Sequence, residues 1–241
     1  MLALILLWQA AAHFANPRLL PSPLAVIDAI GVQIASGALP AALAVTIARV
    51  VAAFVLAMAV GSALGYAMGR RAWLDQWFDA PVVVLLNLPA LVIIVLAYIW
   101  IGLNEVAAIG AVALNKLPNA VVTLREGART LDVGLDEMAA VFGFSRWKRL
   151  RHVVLPQLAP FFAAATRSGL SLVWKIVLVV ELLGRPNGVG FEIGSAFQLF
   201  DVATLLAYAL PFTAIMLIVE SFLVQPFERY VSRWRPRPAR A

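Results

Sequence analysis

Residues Pro81–Leu103, PVVVLLNLPALVIIVLAYIWIGL, contain no charged side chain. A helix needs about 20 apolar residues to cross a hydrocarbon core roughly 30 Å thick, because every backbone amide in lipid must be hydrogen-bonded within the protein. This stretch meets that length, so it predicts a transmembrane helix. It therefore places the whole chain among helical membrane proteins.

The composition favours the same class. The chain has 241 residues, of which 63% are hydrophobic and 13% are charged, whereas a soluble domain is about a quarter charged. A net charge of +6 would also suit a nucleic-acid-binding protein. However, the Arg and Lys residues cluster between and after the apolar runs, which is typical of lipid anchoring and topology signals. The absence of cysteine excludes disulfides, thiolate metal sites and Cys nucleophiles.

Other apolar stretches add further spans. Four of them are long enough to cross a bilayer: Ala41–Met68, Val106–Leu124, Phe161–Leu183 and Val202–Phe227. The N-terminal run Met1–Phe14 is shorter than a full span, but no Lys or Arg precedes it and no clear cleavage site follows it, which argues against a signal peptide. We therefore predict an all-α polytopic fold of about six transmembrane helices, forming one transmembrane domain over residues 1–241.

Basic residues fall on alternate connections, which predicts the orientation of the chain. One cluster follows the second span, and a second lies in and around a long loop after the fourth span. A third lies in a tail at about residues 228–241. The clusters are Arg70 and Arg71; Arg125, Arg129, Arg146, Lys148, Arg149 and Arg151; and Arg229, Arg233, Arg235, Arg237 and Arg240. We expect both termini in the cytoplasm. The connection Asn16–Pro40 is expected outside, with a short amphipathic surface helix at Ala25–Ser36.

A long loop follows the fourth span at Thr130–Pro160, with the sequence TLDVGLDEMAAVFGFSRWKRLRHVVLPQLAP. It is longer than a connection between antiparallel neighbouring helices needs to be. Asp132 or Asp136 can cap a first short helix, which ends at Gly143 because glycine accepts the positive φ of a helix C-terminus. Ser145 can cap a second piece, and Pro156 then marks the approach to the fifth span. The pattern predicts a compact helix–turn–helix projecting from the membrane.

This loop resembles the EAA signature of ATP-binding-cassette (ABC) importer permeases. The spacing E-x-A-A-x-x-G, nine residues and V-x-L-P matches that signature, with Met138 and Val153 as apolar substitutions. By this resemblance the loop is a coupling helix that docks on a separate ATPase subunit. The residues expected to take part are Glu137, Ala139, Ala140, Gly143, Ser145, Val153, Leu155 and Pro156.

The resemblance extends over nearly the whole chain. The stretches LPSPLAV, LPALVIIVLAYIWIGL and ELLGRPNGVGFEI look like the nitrate, sulfonate and taurine branch of these permeases, with a type I importer fold. The resemblance implies a bacterial inner-membrane assembly of two copies of this chain, two ATPase subunits and a periplasmic or lipoprotein solute-binding protein. By this resemblance it would import a small solute by alternating access, either an anion such as a sulfonate, taurine or nitrate or, as in other similar proteins, a pyrimidine-like vitamin precursor. No cofactor and no nucleic-acid partner are expected. No G-x-x-x-x-G-K-[ST] loop occurs in the chain, so ATP hydrolysis is expected in the partner.

Charges inside the spans are candidates for the translocation pathway, because charge at bilayer depth is costly. Lys175, beside Trp174, either faces the pathway and attracts an anion, or pairs with Glu220 or a carboxylate of another subunit. Lys116 either lines the pathway or relieves a helix loosened by proline. We expect Glu181 and Glu220 to be pairing or interface groups.

The segment Gly184–Phe200 leaves two alternatives open. Gly188 and Gly190 are expected either in a re-entrant periplasmic gate or in a plain surface turn. His13 and His152 are too isolated to predict a metal site.

Two other functional classes fit the sequence less well. A secondary transporter driven by an ion gradient would need mid-span carboxylates and an inverted repeat, and neither is visible in the sequence. An intramembrane enzyme would need a His cluster or a recognisable catalytic pair, which the sequence also lacks.

Overall fold

The computed structural model describes residues 2–233, and the described chain is helical throughout, with no strand. Arg235, Arg237 and Arg240 of the predicted basic tail lie outside the described residues. The helices are α1 (Leu2–Phe14), α2 (Pro23–Ala35), α3 (Ala38–Arg70), α4 (Ala72–Asn87), α5 (Ala90–Ile101), α6 (Glu105–Arg129), α7 (Val133–Val141), α8 (Arg146–Gly184), α9 (Val189–Gln198) and α10 (Val202–Val231).

Four of the predicted spans are confirmed as long apolar helices. The helices α3, α6, α8 and α10 are each long and apolar enough to cross a membrane. Each of them contains one of the predicted stretches and extends beyond it at one or both ends. The all-α membrane fold expected from the sequence is therefore correct.

The span predicted over Pro81–Leu103 is two helices in the structure instead of one continuous helix. The helix α4 begins at Ala72 and continues through Pro81 to Asn87, and α5 begins at Ala90 after a bend of 101°. Leu88 has extended backbone angles, φ −72° and ψ 126°. It precedes Pro89, and the proline ring disfavours helical geometry in the preceding residue. The pair α4–α5 counts as a fifth span only if the two bent helices are taken together.

The N-terminal helices are shorter. Both α1 and α2 have 13 residues, fewer than the roughly 20 needed for a span, so a sixth span stays a prediction. The short helix expected at Ala25–Ser36 is present as α2. It begins at Pro23 because the Ser22 hydroxyl accepts a hydrogen bond from the Ala25 N–H, as an N-cap residue does, and proline suits the first helical turn.

The second piece of the predicted helix–turn–helix is also different from the prediction. It is continuous with the fifth predicted span, so Arg146–Gly184 forms one helix of 39 residues. A π-helical turn at Leu150–Val154 lies just before Pro156. The wider turn accommodates a proline, which has no N–H and whose ring crowds the carbonyl one turn earlier. Pro156 therefore sits within a helix rather than at its start.

The described chain forms two compact units that each draw on several helices. Unit 1 comprises residues 2–52, Ile94–Val112 and Trp174–Leu217. Unit 2 comprises Ala53–Ile93, Ala113–Val173 and residues 218–233. Each long helix therefore contributes one part of its length to each unit.

Unit 2 is organised by a close crossing of α3 and α6. A Cβ added to Gly61 would lie 2.7 Å from Ala120 Cβ, and one added to Gly65 would lie 2.4 Å from the Val121 carbonyl oxygen. Gly69 is equally close to α6, since its Cβ would lie 2.6 Å from the Arg125 carbonyl oxygen. These glycines recur every four residues and so share one helix face, as in the small-residue interfaces of membrane helices.

We expect Gly65→Leu to destabilise the protein, because the new side chain would collide with α6 backbone rather than with a flexible side chain. Overpacking of this kind costs about 1–3 kcal/mol. Thermal unfolding of the detergent-purified protein, followed by tryptophan fluorescence, measures the effect. The control is Gly110→Leu, because a Cβ at Gly110 meets nothing within 4 Å. Equal loss of stability in the two variants would contradict the role of the crossing.

Candidate functional site

The short helix α7 is defined by local signals at both ends. The Asp132 carboxylate accepts hydrogen bonds from the N–H groups of Gly134, at 2.7 Å, and Leu135, at 3.3 Å. Of the two caps that the sequence allowed, Asp132 is therefore the one used. The chain leaves α7 through Gly143, whose φ is +62°, and the Ser145 hydroxyl then caps α8 by accepting from the Lys148 N–H at 3.3 Å.

One face of α7 is unpartnered among the described residues. Val133, Glu137, Ala140 and Val141 are all exposed, and their spacing places them on one side of a helix. Val141 is 84% exposed, and Phe142, which follows it, is 70% exposed. The opposite face is buried at Ala139, which is 1% exposed. The helix therefore presents an apolar stripe with one carboxylate in it; we call these four residues the α7 stripe.

Asp136 holds α7 against the rest of unit 2. Its carboxylate pairs with Arg70 at the end of α3, at 2.8 Å, and with Arg149 near the start of α8, at 2.7 Å. The hydrogen bond from Arg149 and the charge of Arg70 keep the pKa of Asp136 below its usual range. The stabilisation from this carboxylate is therefore present above its unfolded pKa, about 3.9, and is lost only as the pH falls through the lowered folded value.

The other residues singled out by the signature fall into two groups. Val153 is buried, 5% exposed, like Ala139 on α7. Leu155 and Pro156 are exposed on α8, as are Gly143 and Ser145 in the connection before it. Ala139 and Val153 are thus buried within unit 2, whereas the other four residues are accessible on its surface.

Unit 1 contains a buried ion pair that the sequence did not connect. Arg49 on α3 and Glu181 on α8 are 132 positions apart in the chain, and Arg49 Nη1 lies 2.7 Å from Glu181 Oε1. Arg49 is 4% exposed and Glu181 is fully buried. The expectation that Glu181 is a pairing group is confirmed. The pairing partner could not be read from the sequence, because no local pattern links residues so far apart.

The N-terminus of α9 is fastened to this pair. The Gly190 N–H donates to Glu181 Oε2 at 2.8 Å, and the Thr46 hydroxyl donates to the same oxygen at 2.9 Å. Thr46 in turn accepts from the Val189 N–H at 2.8 Å. Buried polar groups require such partners, and here they join three helices of the unit.

Gly188 and Gly190 are glycines for reasons of space and conformation. Gly188 has φ +106°, and a Cβ there would lie 2.4 Å from the Glu181 carboxylate. A Cβ on Gly190 would lie 2.3 Å from the Leu178 carbonyl oxygen. The segment is not a plain surface turn, because it contains the helix α9 and buries Val189 completely. Its role as a gate stays a prediction.

The other end of Arg49 extends the network to the connection between α5 and α6. Arg49 Nη2 pairs with Glu105 Oε1 at 2.6 Å, and Arg185 pairs with the same oxygen at 2.6 Å. Asn187 also accepts hydrogen bonds from Arg49 through its backbone and side-chain oxygens. Sequence reasoning missed Thr46, Glu105 and Asn187. Thr46 lies within α3, Glu105 begins α6 and Asn187 lies in the connection between α8 and α9, and no local pattern marks them as parts of one network.

Lys116 in unit 2 has no exposed surface. Its Nζ donates to Asn119 Oδ1 at 2.6 Å and to the Ala165 carbonyl at 3.0 Å. Its side chain packs directly on Gly169, where an added Cβ would lie 1.7 Å from Lys116 Cε. These contacts join α6 to α8 and favour the structural alternative over a pathway-lining side chain.

Trp174 and Lys175 have different surroundings. Trp174 is 4% exposed and makes an edge-to-face contact with Phe212, with ring centroids 5.6 Å apart. Lys175 is exposed and makes no ion pair or hydrogen bond with any described residue. The proposed partner Glu220 pairs instead with Arg167, at 3.2 Å. Lys175 is therefore a cation within a span that has no partner among residues 2–233.

No group of three or more His, Cys, Asp or Glu side chains within residues 2–233 is arranged to hold a metal ion.

Comparisons with known proteins agree with a transport role. Residues 57–234 match the family described as binding-protein-dependent transport system inner membrane component. The chain is 33% identical over 235 residues to the "Putative aliphatic sulfonates transport permease protein SsuC" of Escherichia coli (strain K12), covering 97% of this chain and 89% of that protein. It is 29% identical over 236 residues to the riboflavin transport system permease protein RibX of Chloroflexus aurantiacus, covering 97% and 88%.

A shorter match links the chain to the bicarbonate transport system permease protein CmpB of Synechococcus elongatus, with 25% identity over 132 residues, or 54% of this chain and 46% of that protein. These relatives do not favour the ion-gradient transporter weighed above. The family match includes the α7 stripe, the Asp136 ion pairs and most of the spans. The chain therefore belongs to the family of binding-protein-dependent transport system inner membrane components and is a permease subunit of an ABC importer.

Proposed function

We propose that this permease imports a small organic anion of the sulfonate class, and that α7 transmits the motion of an ATPase to the spans. Membership of the family implies an ATPase partner and a substrate-binding protein. The assembly that we infer contains two copies of this chain, two ATPase subunits and one extracytoplasmic binding protein. The observation that carries the coupling role is the exposed α7 stripe on a helix anchored to two spans.

The stripe has the chemistry of a protein contact. Val133 and Val141 are 64% and 84% exposed, and exposed apolar residues grouped on one face typically mark an interaction site. Glu137 stands between them and can pair with a basic residue on the partner. Ala140 leaves room for the partner to approach the α7 backbone closely.

Asp136 makes the stripe mechanically useful. Because its carboxylate pairs with Arg70 and Arg149, a push on α7 acts on α3 and α8 together rather than on a loose loop. Packed helices respond to such a push by discrete shifts. This supports alternating access, in which closure of the ATPases around ATP moves the permease between outward-open and inward-open states.

The orientation of the chain follows from the same role. The ATPases are cytoplasmic, so we infer that α7 and the basic residues around it face the cytoplasm. The positive-inside rule gives the same direction, with both termini on that side. The gate that the sequence suggested at Gly188 and Gly190 is proposed for the periplasmic side.

The solute class rests on the relatives and on Lys175. One relative that matches almost the full length is named for aliphatic sulfonates, and another of the same coverage is named for riboflavin. A third, which matches 54% of this chain, is named for bicarbonate, which is also an anion. Lys175 is exposed in a span without a partner among the described residues. Such a cation attracts an anionic solute, whereas a neutral solute gains nothing from it.

Val141→Asp should weaken association with the ATPase subunit, because it places a charge in the α7 stripe. Loss of an apolar contact that matters in an interface costs more than about 1 kcal/mol, so we expect the dissociation constant to rise about fivefold or more. Affinity of the purified permease for its ATPase measures this. Leu135→Asp, on another face of α7, is the control, and unchanged affinity for Val141→Asp would contradict the proposed docking face.

Asp136→Asn should uncouple hydrolysis from transport. The variant loses both ion pairs, so α7 can still bind the ATPase but no longer moves α3 and α8 with it. We expect ATP hydrolysis by the reconstituted complex to persist while solute uptake per ATP falls severalfold.

The control for this variant is Asp132→Asn, which removes the same charge but keeps a good N-cap residue. It should transport with normal coupling. Equal uptake per ATP in Asp136→Asn and Asp132→Asn would show that the ion pairs of Asp136 have no part in coupling.

Lys175→Met should reduce uptake of an alkanesulfonate by the complete complex in proteoliposomes, because the variant loses the unpaired cation. Lys175→Arg keeps the charge and should retain most of the uptake. Transport of sulfonate, taurine, nitrate and bicarbonate is measured for all three proteins. If Lys175→Met transports every anion as well as the parent chain, the pathway role of Lys175 is wrong.

A further inference from the structure

An apolar groove runs along α3 and α8 within unit 2. Its volume is about 440 Å³, and its walls include Ser62 and Tyr66 of α3 and Leu150, Val154, Leu158 and Phe162 of α8. The α8 residues recur at intervals of four, so they form one stripe along that helix. The groove therefore follows the helix axes instead of crossing them.

A second, basic pocket continues the groove. It has a volume of about 610 Å³ and shares Tyr66, Leu150 and Val154 with the groove. Its remaining walls carry four arginines, at the end of α3 and the start of α8: Arg70, Arg71, Arg146 and Arg149. The two cavities thus form one elongated site with an apolar part and a cationic end.

The cationic end is not neutralised by the described residues. Arg70 and Arg149 share the single carboxylate of Asp136. The side chains of Arg71 and Arg146 are exposed and form no ion pair with any described residue. By contrast, Arg125, outside this pocket, is matched by Asp75 and Asp79. The pocket therefore carries two arginines that have no carboxylate partner among the described residues.

The two parts lie at the depths that a lipid requires. Arg70 and Arg71 lie at the end of an apolar span, where headgroups meet the bilayer. Ser62 lies eight positions before Arg70 on α3, which corresponds to about 12 Å along the helix axis. On α8, the distance from Leu150 to Phe162 corresponds to about 18 Å. An acyl chain running along the groove would reach hydrocarbon depth while its phosphate stayed among the arginines.

We propose that this site binds an anionic phospholipid, with its phosphate on Arg71 and Arg146 and one acyl chain in the groove between α3 and α8. A small transported anion has no chain to fill the apolar part. A soluble ATPase cannot extend a contact along the apolar length of two membrane spans. A zwitterionic lipid would fill the groove but would leave the excess positive charge unmatched. Only an anionic amphiphile satisfies both parts.

The test is lipid binding to the full-length chain in detergent, measured by native mass spectrometry. Phosphatidylglycerol and phosphatidylcholine with identical acyl chains are the probes. We expect the parent chain to retain phosphatidylglycerol and to bind phosphatidylcholine more weakly. The double variant Arg71→Gln, Arg146→Gln should bind phosphatidylglycerol about 30-fold more weakly, because each basic residue contributes about a fivefold gain in affinity for anionic lipid.

Two controls separate this site from general surface charge and general apolar surface. Arg151→Gln with Arg229→Gln removes the same charge from exposed arginines outside the pocket that form no ion pair with described residues, and it should bind phosphatidylglycerol like the parent chain. Ala63→Phe should obstruct the groove, since Ala63 lines it, and should weaken binding. Val60→Phe, on the same helix but not in the lining, should not.

Three results would overturn the proposal. The first is equal affinity of the parent chain for the two lipids, and the second is equal loss of binding in the pocket and control variants. The third is unchanged phosphatidylglycerol binding in the Arg71→Gln, Arg146→Gln variant together with weaker association with the ATPase or with a second copy of the chain. That result would assign the arginines to a protein interface.

Discussion

Two helices in lipid gain no hydrophobic energy by meeting, so their approach must come from close packing. The crossing of α3 and α6 supplies it, because Gly61, Gly65 and Gly69 let the two backbones touch. This contact fixes where α3 ends, and Arg70 at that end is one of the two arginines that hold Asp136. If α3 and α6 were further apart, Arg70 would lie too far from Asp136 to pair with it. The helix α7 would then be joined to α8 alone. The geometry of the coupling region therefore depends on glycine, which has no side chain, at these three positions.

The sequence predicted the features that depend on local chemistry. The spans at α3, α6, α8 and α10 follow from length and apolarity, and the caps Asp132 and Ser145 follow from residue type and position. The bend at Leu88 was also encoded locally, by Pro89, but the uninterrupted apolar run concealed it. The length and hydropathy of a segment indicate whether it can lie in lipid. They do not indicate whether it crosses the bilayer as one straight helix.

The candidate sites divide in the same way. The exposed residues of α7 were identified from a signature whose spacing reflects one short helix and its turn. The Arg49–Glu181 pair was not, because its members are brought together only by the packing of α3 against α8 in unit 1. Both residues stood out as charges within spans, yet Thr46 and Asn187, which complete the network, carry no such signal. The free-energy cost of burying a charge indicates that a charged residue within a span has a partner, but it does not indicate which residue that partner is.

Two π-helical turns, one at Leu150–Val154 in α8 and a second at Glu220–Val224 in α10, have a consequence for comparing this chain with its relatives. Leu150–Val154 precedes Pro156 by the same spacing with which Glu220–Val224 precedes Pro226. Each turn holds one residue more than a regular turn, so everything on its far side is rotated by about 100°. A homologue with an uninterrupted helix would need a one-residue gap here in an alignment. Without that gap, conservation would be scored between side chains that point to different faces of the helix.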